Sequence, residues 1–421
     1  MKMKKVTVVL LVICMIFSMC ACKKKHTYKE LYTEDMSVAQ DTNAIINMYY
    51  TDSNMKEFLE AAVVAYKEKY NNVTINLLIK QNANYIENIA KSNTADGSGV
   101  DLYMISHSHL ERAYLAGITM ENTNKELYNS DNYASSAIAS LTYKEKLLGY
   151  PLYYDTSFFI SNRLYSSDGV STFAELANFA ETFEPTEEMV DFKNVFEWNV
   201  SDVISNYAFI GGVTNITGVN GDEKDSINIY NQEAINALKE FQDLKNYFSI
   251  DRNVIETKTV IDNFKTGKTA FSILSTKDLE AIVDCDVDYN ISSIPSISTN
   301  DNDVNSLAAA RALSVTELVM VNPYSANKAV ANSFAQFLTS DAADMLYQYS
   351  GKLSCKKSVV YEKAELNDLI KIYENSVPKT KLMNLSELYM YVEIMFHNIW
   401  DGEPVETELG KIKNYLAVQL K

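Results

Sequence analysis

The stretch IINMYYTDSNMKEFLEAAVVAYKEKYNNVTINLLI, residues 45–79, decides how this chain folds. Ile45 to Tyr50 is rich in β-favouring side chains. Asp52, Ser53 and Asn54 then offer capping oxygens, with Glu57 three residues after Asn54 as in a capping box. Phe58, Leu59, Ala62, Val63, Tyr66 and Tyr70 recur at helical spacing, and Val73, Ile75, Leu77 and Ile79 alternate as a strand does. The reading is strand, helix, strand.

Outward from that unit the alternation continues. Asp101 to Ile105 reads as a buried strand, and Leu110 to Ala116 as a short helix stopped by Gly117. Leu147 to Tyr154, punctuated by Gly149 and Pro151, reads as an extended crossing, and Phe158 to Asn162 resumes as a strand. Thr172 with Glu175 caps a helix through Ala180, Ile235 to Phe248 is amphipathic, and Ala270 to Leu274 is a strand. Val283, Cys285, Val287, Tyr289 and Ile291 alternate, which predicts another strand. Leu313 to Val321 reads as a strand and Ala329 to Leu338 as a helix. Strands alternating with helices predict an α/β class protein with a helix-covered parallel sheet, whose ligands sit beyond the carboxyl ends of the strands. The segments just after strands are therefore where to look: Tyr50 to Asn54 and Ser106 to His109 in the first part of the chain.

The amino terminus carries a different message. Lys2, Lys4 and Lys5 precede an apolar run from Val6 to Met19 that is short for a membrane span, and the segment ends in Met19-Cys20-Ala21-Cys22. It resembles a bacterial lipoprotein signal. That resemblance implies removal of residues 1–21 and acylation of Cys22 by chains such as palmitate, small Ala21 making this the better site than Cys20 behind bulky Met19. A polar tether follows to about residue 43. The 421 residues carry 38 basic and 55 acidic side chains, a net charge of −17, and losing three lysines with the signal takes it to −20. Such an excess repels phosphate backbones and excludes nucleic acid as a partner. Apart from the acylated Cys22, Cys285 and Cys355 are the cysteines left after removal of the signal, and both are expected to be free thiols.

Motifs for chemistry fail on inspection. Gly267-Lys268-Thr269 lacks the earlier glycine of a phosphate loop, since position 262 is Asp. Asp284, Asp286 and Asp288 lack the glycine and the final glutamate of a calcium loop. His107 and His109 have no third metal ligand nearby, and no Gly-x-Ser-x-Gly elbow is present. No catalytic residue, metal or cofactor is expected. The aromatic content is more telling: 28 tyrosines, 17 phenylalanines and 2 tryptophans include Tyr49, Tyr153, Tyr154 and Trp198 at candidate positions, where rings stack on sugars.

Those stretches carry a family resemblance. Residues 45–79, Val100-Asp101-Leu102-Tyr103-Met104-Ile105 with Tyr114-Leu115-Ala116-Gly117, and Tyr143 to Asp155 with the run to Asn162 follow in order. Phe264 to Phe271 and Val321-Asn322-Pro323-Tyr324-Ser325 with its helix to Ser340 complete the series. The chain resembles the extracellular solute-binding proteins of carbohydrate ABC importers, the maltose-binding-protein type. The resemblance implies two α/β lobes, each a sheet flanked by helices, joined by hinge segments near Leu147 to Pro151, Ser306 to Leu313 and Gly351 to Lys356. Residues 44–149 with 308–352 would form lobe 1, and 150–307 with 353–421 lobe 2. Ligand contacts would come from Tyr49, Asp52, Ser53, Asn54, Ser106, His107, Tyr153, Tyr154, Asp155, Trp198, Ser275, Thr276 and Tyr389, with Arg311 bonding either a ligand hydroxyl or a carboxylate. Ile105 and Tyr389 stand where a maltose binder would place tryptophans, which leaves other glycans open. The implied function is a monomeric, non-enzymatic receptor, lipid-anchored on the extracytoplasmic face of a bacterial membrane, that passes an uncharged sugar or oligosaccharide to ABC permease subunits. Two alternatives are a lipid-anchored glycan hydrolase and a sensor or adhesin lipoprotein.

Overall fold

A computed structural model describes residues 38–93, 99–187, 189, 191–300, 303 and 305–420. The signal, Cys22 and most of the tether lie outside the described residues. Ten strands form one sheet. They are β1 (Ala44–Tyr50), β2 (Val73–Ile79), β3 (Leu102–Ser106), β4 (Tyr150–Asn162), β5 (Asn194–Trp198), β6 (Thr269–Ser275), β7 (Tyr289–Ser292), β8 (Leu313–Val321), β9 (Leu353–Ser354) and β10 (Val377–Pro378). The order along the main path is β2-β1-β3-β8-β4-β6-β5, with β7 and β9 paired to β4 and β10 to β8.

The opening unit forms as its pattern dictates. β1 pairs in parallel with β2 and β3, and the helix Lys56–Lys69 buries Phe58, Leu59, Ala62 and Tyr66 against the sheet. The cap differs by two residues from the expected one. Asp52, not Asn54, accepts the Asn54 N–H at 2.9 Å and starts a 3-10 turn over Ser53–Met55.

The sheet is mixed rather than purely parallel, because β8 runs antiparallel to both β3 and β4. One strand holds the two halves together. Tyr150 to Thr156 of β4 pair with β8, while Ser157 to Ser161 pair with β6 and Phe159 to Asn162 with β7. The expected crossing and the expected following strand are thus a single thirteen-residue element, in which Pro151 is accommodated at a break in register. Gly149 enters it at φ +94°, and a Cβ there would lie 2.5 Å from Met320 Sδ and 3.1 Å from the Val319 carbonyl.

The second half builds its own core on the far side of β4. Phe159, Phe196, Trp198, Phe209, Phe241 and Phe271 pack with Leu388, Phe396 and Trp400 of the carboxyl-terminal helices, and Ala312 and Leu313 of the returning chain join them. One expected strand is shorter than its pattern. Of Val283 to Ile291, only the residues from Tyr289 onward lie in the ladder, because β4 ends at Asn162 opposite Tyr289; the Arg163 N–H still donates to the Asp288 carbonyl at 2.9 Å, and residues 283–287 have no ladder partner. The intervening carboxylates turn outward, Asp284 to Lys363 at 2.9 Å and Asp288 to Arg163 at 2.8 Å.

Candidate functional site

The candidate site lies where β4 and β8 run side by side between the two halves. Side chains alternate across a strand, so adjacent residues face opposite ways. Tyr153 stands directly opposite Glu317, and Asp155 opposite Val315, with Ser106 of β3 on the other flank of Glu317. The register slips by one residue between Glu317 and Leu318, a bulge that places Leu152 as the extra residue on β4. Bulges beside functional sites re-aim side chains, and this one brings Tyr153 and Glu317 into one row.

Four carboxylate-bearing or cationic side chains converge on that row. Lys352 Nζ lies 3.6 Å from Asp52 Oδ2 and 5.4 Å from the centre of the Tyr153 ring. Asp155 lies 3.8 Å from Lys277 Nζ and 3.4 Å from Thr276 Oγ1. Burial, together with Asp155 and Asp52 nearby, pushes the Glu317 carboxyl up to about 8, against the pull of Lys352. Burial likewise raises Asp155, offset by Lys277 and Lys352.

Cavities open on both sides of the row. One of about 530 Å³ is lined by Asp155, Val315, Ser275, Lys277, Asp202 and Glu393 among others. Another of about 370 Å³ is lined by Ser106, Glu317, Tyr85, Thr51, His109 and Arg112. A third, about 400 Å³, shares His109 and Arg112 with the second and adds Glu87, Lys379 and Tyr389. Arg112 and Glu87 form an ion pair at 2.7 Å in that wall. No set of three or more His, Cys, Asp or Glu side chains among the described residues is grouped to hold a metal ion.

The structure sorts the residues expected from sequence. Asp52, Ser106, Tyr153, Asp155 and Ser275 come together along the cleft, while Ser53 and Asn54 are exposed on the adjoining turn. Ser275 also caps its own turn through Asp278. Tyr49 is half-buried with Lys80 Nζ 5.3 Å from its ring, and Tyr389 carries Lys379 Nζ at 4.9 Å. Both tyrosine faces, like that of Tyr153, already meet a lysine.

Four expectations need correction. Tyr154 is turned away from the cleft by strand alternation and is 1% exposed, its ring stacked on Tyr373. Trp198 closes β5 rather than lying in a loop; it is 0% exposed, packed on Phe196 and Trp400, and donates its indole N–H to Asn206 Oδ1 at 2.9 Å. His107 is also 0% exposed: its Nδ1 accepts the Thr316 backbone N–H at 2.9 Å, so Nε2 carries the proton and donates to the Lys379 carbonyl at 2.8 Å. Arg311 bonds neither carboxylate nor cleft, since its guanidinium donates to the backbone carbonyls of Asn375 and Ser376 at 2.9 and 3.1 Å. Sequence reasoning missed Glu317 and Lys352. The signal for Glu317 was available, one charged residue inside the apolar run LSVTELVMV of β8.

Residues 61–371 match the family model of bacterial extracellular solute-binding proteins. The chain belongs to that family. The fold of this solute-binding protein is shared with solved structures at low identity. A Staphylococcus aureus extracellular solute-binding protein in complex with maltose is 15% identical, with a TM-score of 0.73 over 90% of this chain and 98% of that one. A cyclo/maltodextrin-binding protein complexed with maltotetraose gives 16% and 0.74, covering 91% and 99%. A maltose-binding periplasmic protein from Listeria monocytogenes gives 16% and 0.71, covering 90% and 98%. Compared by sequence with curated proteins, the chain matches none. The family places this solute-binding protein outside the cytoplasm, and the two-lobed α/β architecture is that of its structural neighbours.

Proposed function

We propose that this protein is a lipid-anchored receptor that captures a sugar or oligosaccharide between its two lobes and delivers it to ABC permease subunits without altering it. The observation that carries the reading is the cleft along β4. Its polar walls draw on both flanks of the sheet: Ser106 of β3 stands beside Glu317 and Asp52 follows β1, while Ser275 ends β6 and Lys277 follows it, with Asp155 on β4 between them. A guest bonded by both walls stabilises the closed arrangement over the open one, since only the closed form presents both at once. The solved structures that share the fold hold maltose or maltotetraose, which supports a carbohydrate guest.

Cys22 anchors the mature chain in this reading, the tether to residue 43 lifts the lobes off the membrane, and the lobes comprise residues 44–149 with 308–352 and 150–307 with 353–421. The carboxyl-terminal helices that complete the second core support that division. A thermal-shift and calorimetric screen of the full mature chain against maltodextrins, chitooligosaccharides, xylooligosaccharides and β-glucans tests the reading. A raised melting temperature with stoichiometric heat and recovery of the intact glycan is expected. A flat response across the panel, or release of cleaved product, overturns it.

A further inference from the structure

Glu317 gives the cleft a property that a receptor for neutral sugars does not need. Its carboxyl sits deep in the walls, opens on the 370 Å³ cavity, and has no hydrogen-bond or ion-pair partner among the described residues. The Tyr85 hydroxyl, on the same cavity, is shut off from solvent and also forms no hydrogen bond, although the Met104 amide is nearby. Buried polar groups are paired in all but a few cases, so the unpaired Tyr85 hydroxyl beside a carboxyl without a partner marks a place for a guest's donors.

The surrounding charge selects the kind of donor. Asp52, Asp155 and Glu317 face one another with Lys352 between them, and Lys352 is committed to Asp52 and the Tyr153 ring. The other nearby cation, Lys277, is largely solvent-exposed, where water screens its charge. Once the Glu317 carboxyl is ionised, the three carboxylates outnumber the two lysines by one. The protein itself shows that an ammonium fits here, since that of Lys352 already rests over Tyr153. A hydroxyl would hydrogen-bond to the protonated Glu317 and leave it neutral, whereas an ammonium balances the ionised carboxylate.

We infer that the glycan taken by this cleft carries a protonated amine, seated against Glu317 and Tyr85. The inference rests on the sugar-receptor reading and names the class of sugar. With no guest charge beside it, the Glu317 carboxyl holds a proton near neutral pH, because burial and the carboxylates of Asp155 and Asp52 outweigh Lys352. Tyr153 on β4, Tyr85 on its helix, and His109 and Arg112 on the same cavity complete the titratable and charged surroundings. An ammonium guest takes the place of that proton, which leaves to solvent as the carboxylate forms its ion pair.

The test uses a matched pair, the β-1,4 trimer of glucosamine and its fully N-acetylated counterpart, with maltotriose as a third probe, titrated into the full mature chain near pH 7. The glucosamine trimer is expected to bind at least about tenfold more tightly than either neutral probe. Its heat should depend on the ionisation enthalpy of the buffer, reporting proton release, while the neutral probes show no such dependence. Glu317→Gln, with unchanged circular dichroism, should abolish the preference. Equal or tighter binding of a neutral probe, or a buffer-independent heat for the amine, overturns the inference and leaves the sugar-receptor reading standing. Silence of all three probes and of the wider glycan panel overturns both. The buffer comparison needs no variant, so it decides the question even if Glu317→Gln fails to fold.

Discussion

The rings of Tyr154 and Tyr373 stack with centroids 3.9 Å apart and planes 2° from parallel, on the face of β4 turned away from the cleft. The Tyr154 hydroxyl is buried there without a hydrogen-bond partner. Tyr154→Phe should therefore be neutral or stabilising by up to about 1 kcal/mol, because it removes an unpaired buried hydroxyl and keeps the ring. Tyr154→Ala should cost about 3–5 kcal/mol through the cavity it leaves. Urea unfolding of both variants checks this, and glycan affinity of the Phe variant should stay within about twofold of wild type, as expected of a residue outside the cleft.

Glu317 makes stability depend on pH in a predictable direction. Its native carboxyl holds a proton up to about 8, against an ordinary 4.5 in the unfolded chain. The native state therefore binds the extra proton between those values, and its contribution is complete below 4.5 and lost as pH rises through about 8. Glu317→Gln should exceed wild type in stability by at least about 1 kcal/mol above pH 8. The advantage should vanish by pH 4.5, as urea midpoints across that range would show.

His107 works in the opposite sense. Burial, helped by Lys381, pushes the ring down to about 3 from an ordinary 6.5. Protonating Nδ1 would also break its bond from the Thr316 amide. The unfolded chain takes up this proton below 6.5 and the native one does not, so stability falls as pH drops from 6.5 towards 3 at about 1.4 kcal/mol per unit. Glu317 opposes it between 4.5 and 6.5, so the slope should emerge cleanly only in the Glu317→Gln background. A flat profile in that background from pH 7 to 5 would contradict the assignment.

Much of this was legible in the chain before any coordinates. Residues 45–79 predict their own strand, helix and strand, and Leu313 to Val321 is a strand over the very residues expected. What could not be read is which neighbour a strand acquires. The alternation of residues 283–291 is real, but β4 stops at Asn162 and leaves residues 283–287 without a ladder partner. The site follows the same rule. Tyr153 and Tyr154 look equivalent in sequence, and only the bulge at Leu152 and the ladder to Glu317 show which of them meets the cleft. Lys352 owes its place to Gly351, whose φ of +67° ends a helix and turns the chain toward Asp52. Nothing in local spacing encodes that meeting.

Gly211 and Gly212 lie against the chain that enters β8. A Cβ on Gly211 would fall 2.0 Å from the Arg311 carbonyl oxygen, and one on Gly212 would fall 2.1 Å from that of Ala309. Both obstacles are backbone, so neither yields by a rotamer change. Gly211→Ala should displace the passage that enters β8 and cost about 1–3 kcal/mol or more. Thermal unfolding would report the loss, and an unshifted melting temperature would mean that the passage gives way freely.

Lys381 ties three distant segments by a different device. It is fully buried, and its ammonium donates to the carbonyls of Ala139 at 2.6 Å, Thr142 at 2.7 Å and Asn220. Three acceptors engage all three N–H bonds, so the group is saturated although burial pushes its pKa down to about 7, with Asp222 pulling the other way. The connection is reinforced by the backbone. The Lys381 N–H donates to the Gly221 carbonyl at 2.8 Å, and the Lys144 N–H to Asp222 Oδ2 at 3.3 Å, from a hairpin tip whose Lys144 and Glu145 both have positive φ. Lys381→Met keeps the length of the side chain and deletes the donors, stranding carbonyls on the hairpin, its preceding helix and the loop at 218–222. Each hydrogen bond from a charged donor is worth about 1.5–3 kcal/mol, but part of that returns when the buried charge is removed, so a net loss of about 2–4 kcal/mol is expected. Amide exchange should quicken at residues 142–147 and 218–223 while β1 and β3 keep their protection. Uniform acceleration across the molecule would instead make Lys381 a global core residue, with no special part in joining the hairpin to the loop.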